Sequence, residues 1–468
     1  MVFSSPLFLF TFLPLIFLLY YAIPPRFLKA RNIALLAASL VFYAWGEPVV
    51  VFLMVVSILV NYALARAIAR LDKQKAGGRF LLLFVALVFD LGLLGCFKYA
   101  NFLTETADLV FRTGFVTDIA LPIGISFYTF QTVSYIIDIY RGSVSPERNV
   151  VNFALYIAFF PQLIAGPIIR YADVKAQLAK RKHSLALVAS GFQRLIIGLA
   201  KKVLIANQLA PFVDYAFAAP TLTAVMAWTG AICFALQVYF DFSGYSDMAI
   251  GLARMFGFSF RENFDYPYIA SSVRDFWRRW HISLSNWFRD YLYIPLGGNR
   301  KGAKREGFNL LFVFALTGFW HGASWTFIVW GLYYGLFLVL ERYAFKRALK
   351  KLPYVAKWGY TMTVVLIGWV FFRAPDLASA FRYLKCMFAF TSGGWSVTLA
   401  HLNIIVVAAM LLGLAASGPL FPCLAGKIER YENRVLAGVG SAAYLALLAV
   451  SLVFLVGSGF NPFLYFRF

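Results

Sequence analysis

The chain has 468 residues, of which 61% are hydrophobic and 14% charged, and its mean hydropathy is +0.73. These values fall outside the soluble globular range and set lipid as the solvent, with room for roughly ten or more spans of about 20 apolar residues in a bilayer core ~30 Å thick. The 43 Lys and Arg against 21 Asp and Glu sit in short loops between apolar runs, a positive-inside pattern that points to anionic headgroups and away from nucleic acid.

The first apolar run, Val2 to Ile23, has no basic stretch before it and is followed by Arg26, Lys29 and Arg31. It reads as an anchor, with its trailing charges cytoplasmic and the N-terminus on the opposite side. Further runs cover residues 33–45, 49–64, 80–97, 119–137, 151–169, 185–212, 221–256, 308–340, 360–372, 402–424 and 435–460. Their unbroken apolar character excludes a β-barrel, whose strands would alternate over about ten residues. Basic loops at 26–31 and 66–79 share one side if the chain turns at Gly46-Glu47-Pro48. The nearly neutral stretch 98–118 then falls outside and 141–148 inside. Cys96, Cys233, Cys386 and Cys423 are far apart, implying neither a disulfide framework nor a metal site.

The run at 151–169 has basic loops on both flanks and carries Pro161 and Gly166-Pro167. One simple span cannot satisfy both flanks, so the expectation is a re-entrant or broken helix buried in protein. A kinked span with one misplaced basic loop is the alternative. The run at 221–256 holds Asp241 and Asp247, six residues apart and on different helical faces. They serve either to hold neighbouring helices together or as part of a proton path.

In the polar stretch 261–305, Phe276, Trp280, Leu284, Trp287 and Tyr291 recur at spacings of three and four, with Arg274, Arg278 and Arg289 on the other face. That pattern predicts an amphipathic helix in the cytoplasmic interface, with a solvated charge run as the competing reading. The run of 33 residues at 308–340, again basic at both ends, is too long for one untilted span. Two broken or tilted segments meeting near Gly318-Phe319-Trp320-His321-Gly322 reconcile its length with its charge. His321 then lies inside the membrane profile, where an ionisable group is a functional candidate by default and its apolar setting favours neutral imidazole. A satisfied structural histidine is the plainer alternative. His281, forty residues earlier, either orients substrate or bonds at the interface; His183 and His401, beside loops, read as bystanders. No Walker loop, Gly-x-Ser-x-Gly elbow, dinucleotide fingerprint or His-Glu-x-x-His helix is found.

The stretches LPIGISFYTFQTVSYIIDIYRG, FFPQLIAGPIIR, QVYFDFSGYSDMAIGLA, FWRRWHISLSNWFRDYLYIPLGGNRKG and GFWHGASWTFIVWG, spread over Leu121 to Gly331, resemble the bacterial membrane-bound O-acyltransferases of the alginate O-acetylation type. The opening MVFSSPLFLFTFLPL and the aromatic end NPFLYFRF are similar too. The resemblance implies an all-α polytopic integral membrane protein of roughly 11–13 helices, with re-entrant or broken helices around a central cavity. Residues 1–468 then form a single acyltransferase domain, with 261–306 as an interfacial cytoplasmic segment. It further implies that His321 is the catalytic histidine and that His281 occupies the second polar position of the central passage. The implied donor is cytoplasmic acetyl-CoA, with no metal. The implied setting is the bacterial inner membrane, with a periplasmic acetyl-acceptor or transfer protein and polysaccharide machinery as partners. Direct transfer with His321 as general base and an acyl-histidine intermediate both fit. The leading expectation is O-acetylation of an exopolysaccharide, alginate or cellulose. A non-enzymatic polysaccharide exporter or flippase, and D-alanyl transfer to teichoic acid, are the alternatives.

Overall fold

A computed structural model describes residues 1–72, 76–389, 394–429, 434–457 and 464. Lys73, Gln74 and Lys75 of the second basic loop, residues 458–460 of the last apolar run and all of the aromatic end except Leu464 lie outside the described residues. Among the described residues the regular structure is entirely helical. Two compact units are present, one formed by Met1–Leu195 with Met248–Arg261 and the other by Ile196–Asp247 with Glu262–Phe468.

Early helices are α1 (Leu13–Ala22), α2 (Leu28–Ala44), α3 (Val50–Arg70), α4 (Ala76–Leu94), α5 (Ala100–Phe111) and α6 (Ile125–Arg141). The run at 151–169 is broken, as its prolines and flanking charges require: α7 (Val150–Ala158) ends at Phe159, α8 (Phe160–Leu163) starts with Pro161 in its first turn, and irregular backbone follows. Protein groups satisfy that backbone, since Ser39 Oγ accepts from the Phe160 amide and Tyr156 Oη donates to the Ile169 carbonyl.

Next come α9 (Tyr171–Ala179), α10 (Leu185–Ala200), α11 (Asn207–Ala218) and the 32-residue α12 (Ala224–Met255). The interfacial stretch forms α13 (Val273–Arg279) and α14 (Ile282–Phe288). Beyond them run α15 (Ala303–His321), α16 (Trp325–Tyr343), α17 (Lys346–Lys351), α18 (Tyr354–Arg373), α19 (Leu377–Phe388), α20 (Trp395–His401), α21 (Ile404–Ala416), α22 (Leu420–Glu429) and α23 (Arg434–Gly457).

Six helices among the described residues are long and apolar enough to cross a membrane: Val50–Arg70, Gly77–Phe111, Leu185–Ala218, Ala224–Met255, Tyr354–Arg373 and Gly438–Gly457. A seventh is added if α20 and α21, bent by 94°, form one broken span. The bend has a local cause, because the Asn403 side chain accepts from the Val406 amide and starts a new helix. The other apolar runs fold into shorter or paired helices, such as α2, α6 and the pair α15 and α16.

The run at 308–340 becomes a hairpin whose two arms, α15 and α16, meet at Gly322 to Ser324. Its basic ends return to one place, where Arg342 Nε lies 2.8 Å from Glu306 Oε1. Apolar solvent gives helices no hydrophobic reason to associate, so close packing must hold the arms together. Glycine makes that packing possible. A Cβ on Gly318 would lie 2.1 Å from the Phe327 carbonyl oxygen, and one on Gly331 would lie 2.2 Å from that of Phe314.

Those contacts are backbone and cannot swing aside. Gly331→Ala is therefore expected to lower the unfolding free energy in detergent by about 1–3 kcal/mol, whereas Gly359→Ala, whose Cβ would meet nothing within 4 Å, is expected to be neutral or mildly stabilising. Equal thermal midpoints for the two variants would contradict this account of the hairpin.

Candidate active site

The aromatic residues of the interfacial stretch share one buried face, and Arg274, Arg278 and Arg289 are exposed, as their spacing predicts. The helix is not continuous, however, and this corrects the expectation of one amphipathic rod. Ser272 Oγ caps α13 by accepting from the Asp275 amide, and Arg278 and Arg279 close it. At His281 the backbone turns left-handed, with φ 44°, a conformation that costs a non-glycine residue about 1–3 kcal/mol. Asn263 offsets that cost. Its carbonyl accepts from the Ile282 amide at 2.9 Å and its side-chain Oδ1 from the Ser283 amide at 3.2 Å, so the first N–H groups of α14 are met from a loop 19 and 20 residues earlier.

The break carries His281 away from the interface and into the interior, where it is 0% exposed. Its ring packs edge-on against Phe242 at 4.7 Å, and Nδ1 lies 3.2 Å from Asn263 Oδ1. Nε2 is buried without a hydrogen-bond partner.

His321, 4% exposed, is the last residue of α15, 18 positions past Ala303, or about 27 Å along the axis at 1.5 Å per residue. Trp330 of α16 stands edge-on to its ring at 5.1 Å and Phe372 of α18 at 5.5 Å. The His281 and His321 ring centroids are 6.4 Å apart. Two histidines forty residues apart in sequence thus share one buried aromatic cluster with Trp320 and Trp330.

Beside this cluster lies an open cavity of about 1050 Å³, lined by α13, α14, α15, α16 and α17. On α15 it is lined by Glu306, Leu310, Val313 and Thr317, a stripe at helical spacing that His321 continues one turn further on. Its other walls present Arg274, Arg278, Arg289, Arg342 and Lys346. Of its two carboxylates, Glu306 is engaged by Arg342, and Glu341 accepts from the Val273 and Arg274 amides at 2.6 and 3.0 Å. Net positive charge at one end and a buried imidazole beyond the other suit an anionic molecule with a long reactive arm.

The remaining histidines lie elsewhere. His183 Nε2 is 2.7 Å from Tyr20 Oη, and burial together with the Arg31 and Arg181 guanidinium groups pushes its pKa down to about 4. His401 is exposed and stacks on Tyr215 at 3.8 Å. Asp241 and Asp247 also stand apart from the histidines, each in an ion pair: Lys202 Nζ is 2.5 Å from Asp241 and Lys201 Nζ 2.7 Å from Asp247. They hold α12 to the π-helical turn Lys201–Ala206. Consecutive lysines diverge by about 100° around a helix and residues six apart by about 120°, so each cation meets its own carboxylate.

Asn263 and the ends of α16 were missing from the sequence reading of the site. A loop asparagine carries no periodic signal, and Glu341 and Arg342 of α16 and Lys346 of α17 lie just past the apolar run 308–340. The arginine face of 274–289 was visible, though its cavity was not.

Residues 143–379 match the family model described as MBOAT, membrane-bound O-acyltransferase family. Over full length on both sides, the chain is 43% identical to the probable alginate O-acetylase AlgI of Azotobacter vinelandii and 42% identical to that of Pseudomonas putida. The chain belongs to the membrane-bound O-acyltransferase family. It is also 36% identical to the peptidoglycan O-acetyltransferase of Helicobacter pylori, covering all of this chain and 98% of that one. The protein is accordingly a multi-pass membrane enzyme of the O-acetyltransferase type, and its chemistry implies an acetyl donor.

The buried pair Lys202 and Asp241 yields a prediction about structure. Lys202→Met alone, which strands a buried carboxylate, is expected to cost roughly 3–5 kcal/mol, and Lys202→Met with Asp241→Leu to recover most of it. A double variant no more stable than the single one in chemical unfolding would refute this.

Proposed function

We propose that the protein moves acetyl from a cytoplasmic thioester, acetyl-CoA, to a hydroxyl presented on the periplasmic side of the bacterial inner membrane, with His321 as the catalytic base. The observation that carries this reading is the stripe Glu306, Leu310, Val313, Thr317 and His321, which runs from a basic cavity to a buried imidazole. CoA is too polar to cross lipid. A donor held with its phosphates against Arg278, Arg289 and Lys346 and its arm along α15 delivers only the thioester to His321.

In direct transfer, neutral His321 takes the proton of the acceptor hydroxyl as that oxygen attacks the thioester carbonyl. The carbon–sulfur bond then breaks, and the imidazolium returns the proton to the departing sulfur. His281 Nε2, a buried acceptor without a partner, takes a hydrogen bond from the acceptor molecule and fixes its approach. The walls of Trp320, Trp330 and Phe372 keep water, a competing nucleophile, from the thioester.

Identity to alginate O-acetylases across the full chain supports an exopolysaccharide, alginate or cellulose, as final acceptor. A periplasmic transfer protein is the immediate one. In this reading residues 1–468 act as one acyltransferase domain.

Acetyl content of secreted polysaccharide is the decisive measurement, made with wild type, His321→Ala and a deletion strain while quantifying each protein in the membrane. His321→Ala is expected to lose acetate by about 100-fold or more despite normal insertion. Retained acetylation removes His321 as base, and polymer missing from the medium points to export instead. With purified enzyme, Arg278→Ala combined with Arg289→Ala is expected to raise the donor KM about tenfold with little change in kcat. An unchanged KM would remove the basic cavity as the donor site.

A further inference from the structure

Asn263 does more than cap α14. Its amide orientation is fixed independently of any histidine, because a backbone N–H can only donate and the Ser283 amide lies 3.2 Å from Oδ1. The Ser283 hydroxyl, 2.8 Å away, bonds the same oxygen. An oxygen so placed is an acceptor for its third neighbour, His281 Nδ1, at 3.2 Å. The proton of a neutral His281 therefore sits on Nδ1, and Nε2 is left as a bare lone pair in the cluster shared with His321. The competing contact, Ser283 Oγ to His281 Nδ1, is 3.5 Å long and at the limit of hydrogen bonding.

We propose that Asn263 is a positioning residue for the transfer reaction: its side-chain carbonyl holds His281 in the Nδ1–H tautomer, so that Nε2 accepts a hydrogen bond from the incoming hydroxyl compound. This rests on the acetyl-transfer reading above. It specifies the acceptor as a molecule that offers Nε2 a hydrogen-bond donor besides the hydroxyl that His321 deprotonates, as a side chain or backbone N–H beside the reacting hydroxyl of a transfer protein provides. Without Asn263 the ring is free to carry its proton on Nε2, turning the acceptor that holds this donor into a second donor.

With four histidines in the chain, nitrogen-15 spectra of histidine-labelled full-length protein in bilayers resolve each ring, the His281 signals being assigned by their loss in His281→Asn. The expected result is Nδ1–H at His281 in wild type and in Ser283→Ala, and a shift to Nε2–H or a mixture in Asn263→Ala. Asn263→Asp, which can accept the same two N–H groups, is expected to restore Nδ1–H. Transfer kinetics should follow the spectra: kcat at least tenfold lower in Asn263→Ala with donor KM unchanged, and largely recovered in Asn263→Asp. Nε2–H in the wild type overturns the proposal, as does full kcat in Asn263→Ala. A wild type with the expected tautomer that transfers no acetyl overturns the acetyl-transfer reading alone.

Discussion

The distance between α15 and α16 sets the geometry around both buried histidines. Lipid supplies no hydrophobic pull between helices, so the two arms stay together through direct backbone contact and the charged clasp at their ends. Gly318 and Gly331 remove the atoms that would keep the carbonyls of Phe327 and Phe314 away. Once the arms are that close, the chain has to leave α15 at His321, and the imidazole is enclosed by Trp330 from the returning arm and Phe372 from α18. The face of α15 that continues to His321 is left to line a cavity. Packing thus fixes both the histidine and the cavity wall one turn before it.

Much of this was legible in the residues. Charge on both flanks of 151–169 and of 308–340 is incompatible with single crossings, and both runs are broken near the glycines and prolines that permit it. The aromatic spacing at 276–291 correctly gave the buried face, because three-and-four periodicity survives a short interruption. It could not show the interruption. The turn at His281 depends on Asn263, which reaches α14 from outside it, and no local propensity encodes a partner that arrives through tertiary folding. For the same reason the sequence leaves His281 open between a substrate-orienting and an interfacial role, and the structure finds it fully buried.

Asp241 and Asp247 show the complementary case. Their sequence setting fits a proton path and helix cross-links equally well, and only the position of Lys201 and Lys202 decides between them. The π-helical turn at Lys201–Ala206 presents two neighbouring lysines at an angle matched to carboxylates six residues apart. Buried charge in this protein thus includes groups consumed by mutual pairing, such as Asp241 and Asp247, and charge alone does not tell them from groups with another role.

The hairpin also bears on how the protein is made. Neither α15 nor α16 is among the helices apolar enough to cross a membrane unaided, and both begin or end in charge. Such a segment has little tendency to leave the insertion channel for lipid by itself. Its α16 arm is held by Tyr333 and Tyr334, whose hydroxyls donate to the Val364 and Val365 carbonyls of α18, and α18 is synthesised later. The nascent hairpin must therefore wait, sheltered by earlier helices or by the insertion machinery, until the next span arrives. His321 is then enclosed only after α18 has been made, because Phe372 of that helix is part of what surrounds its ring.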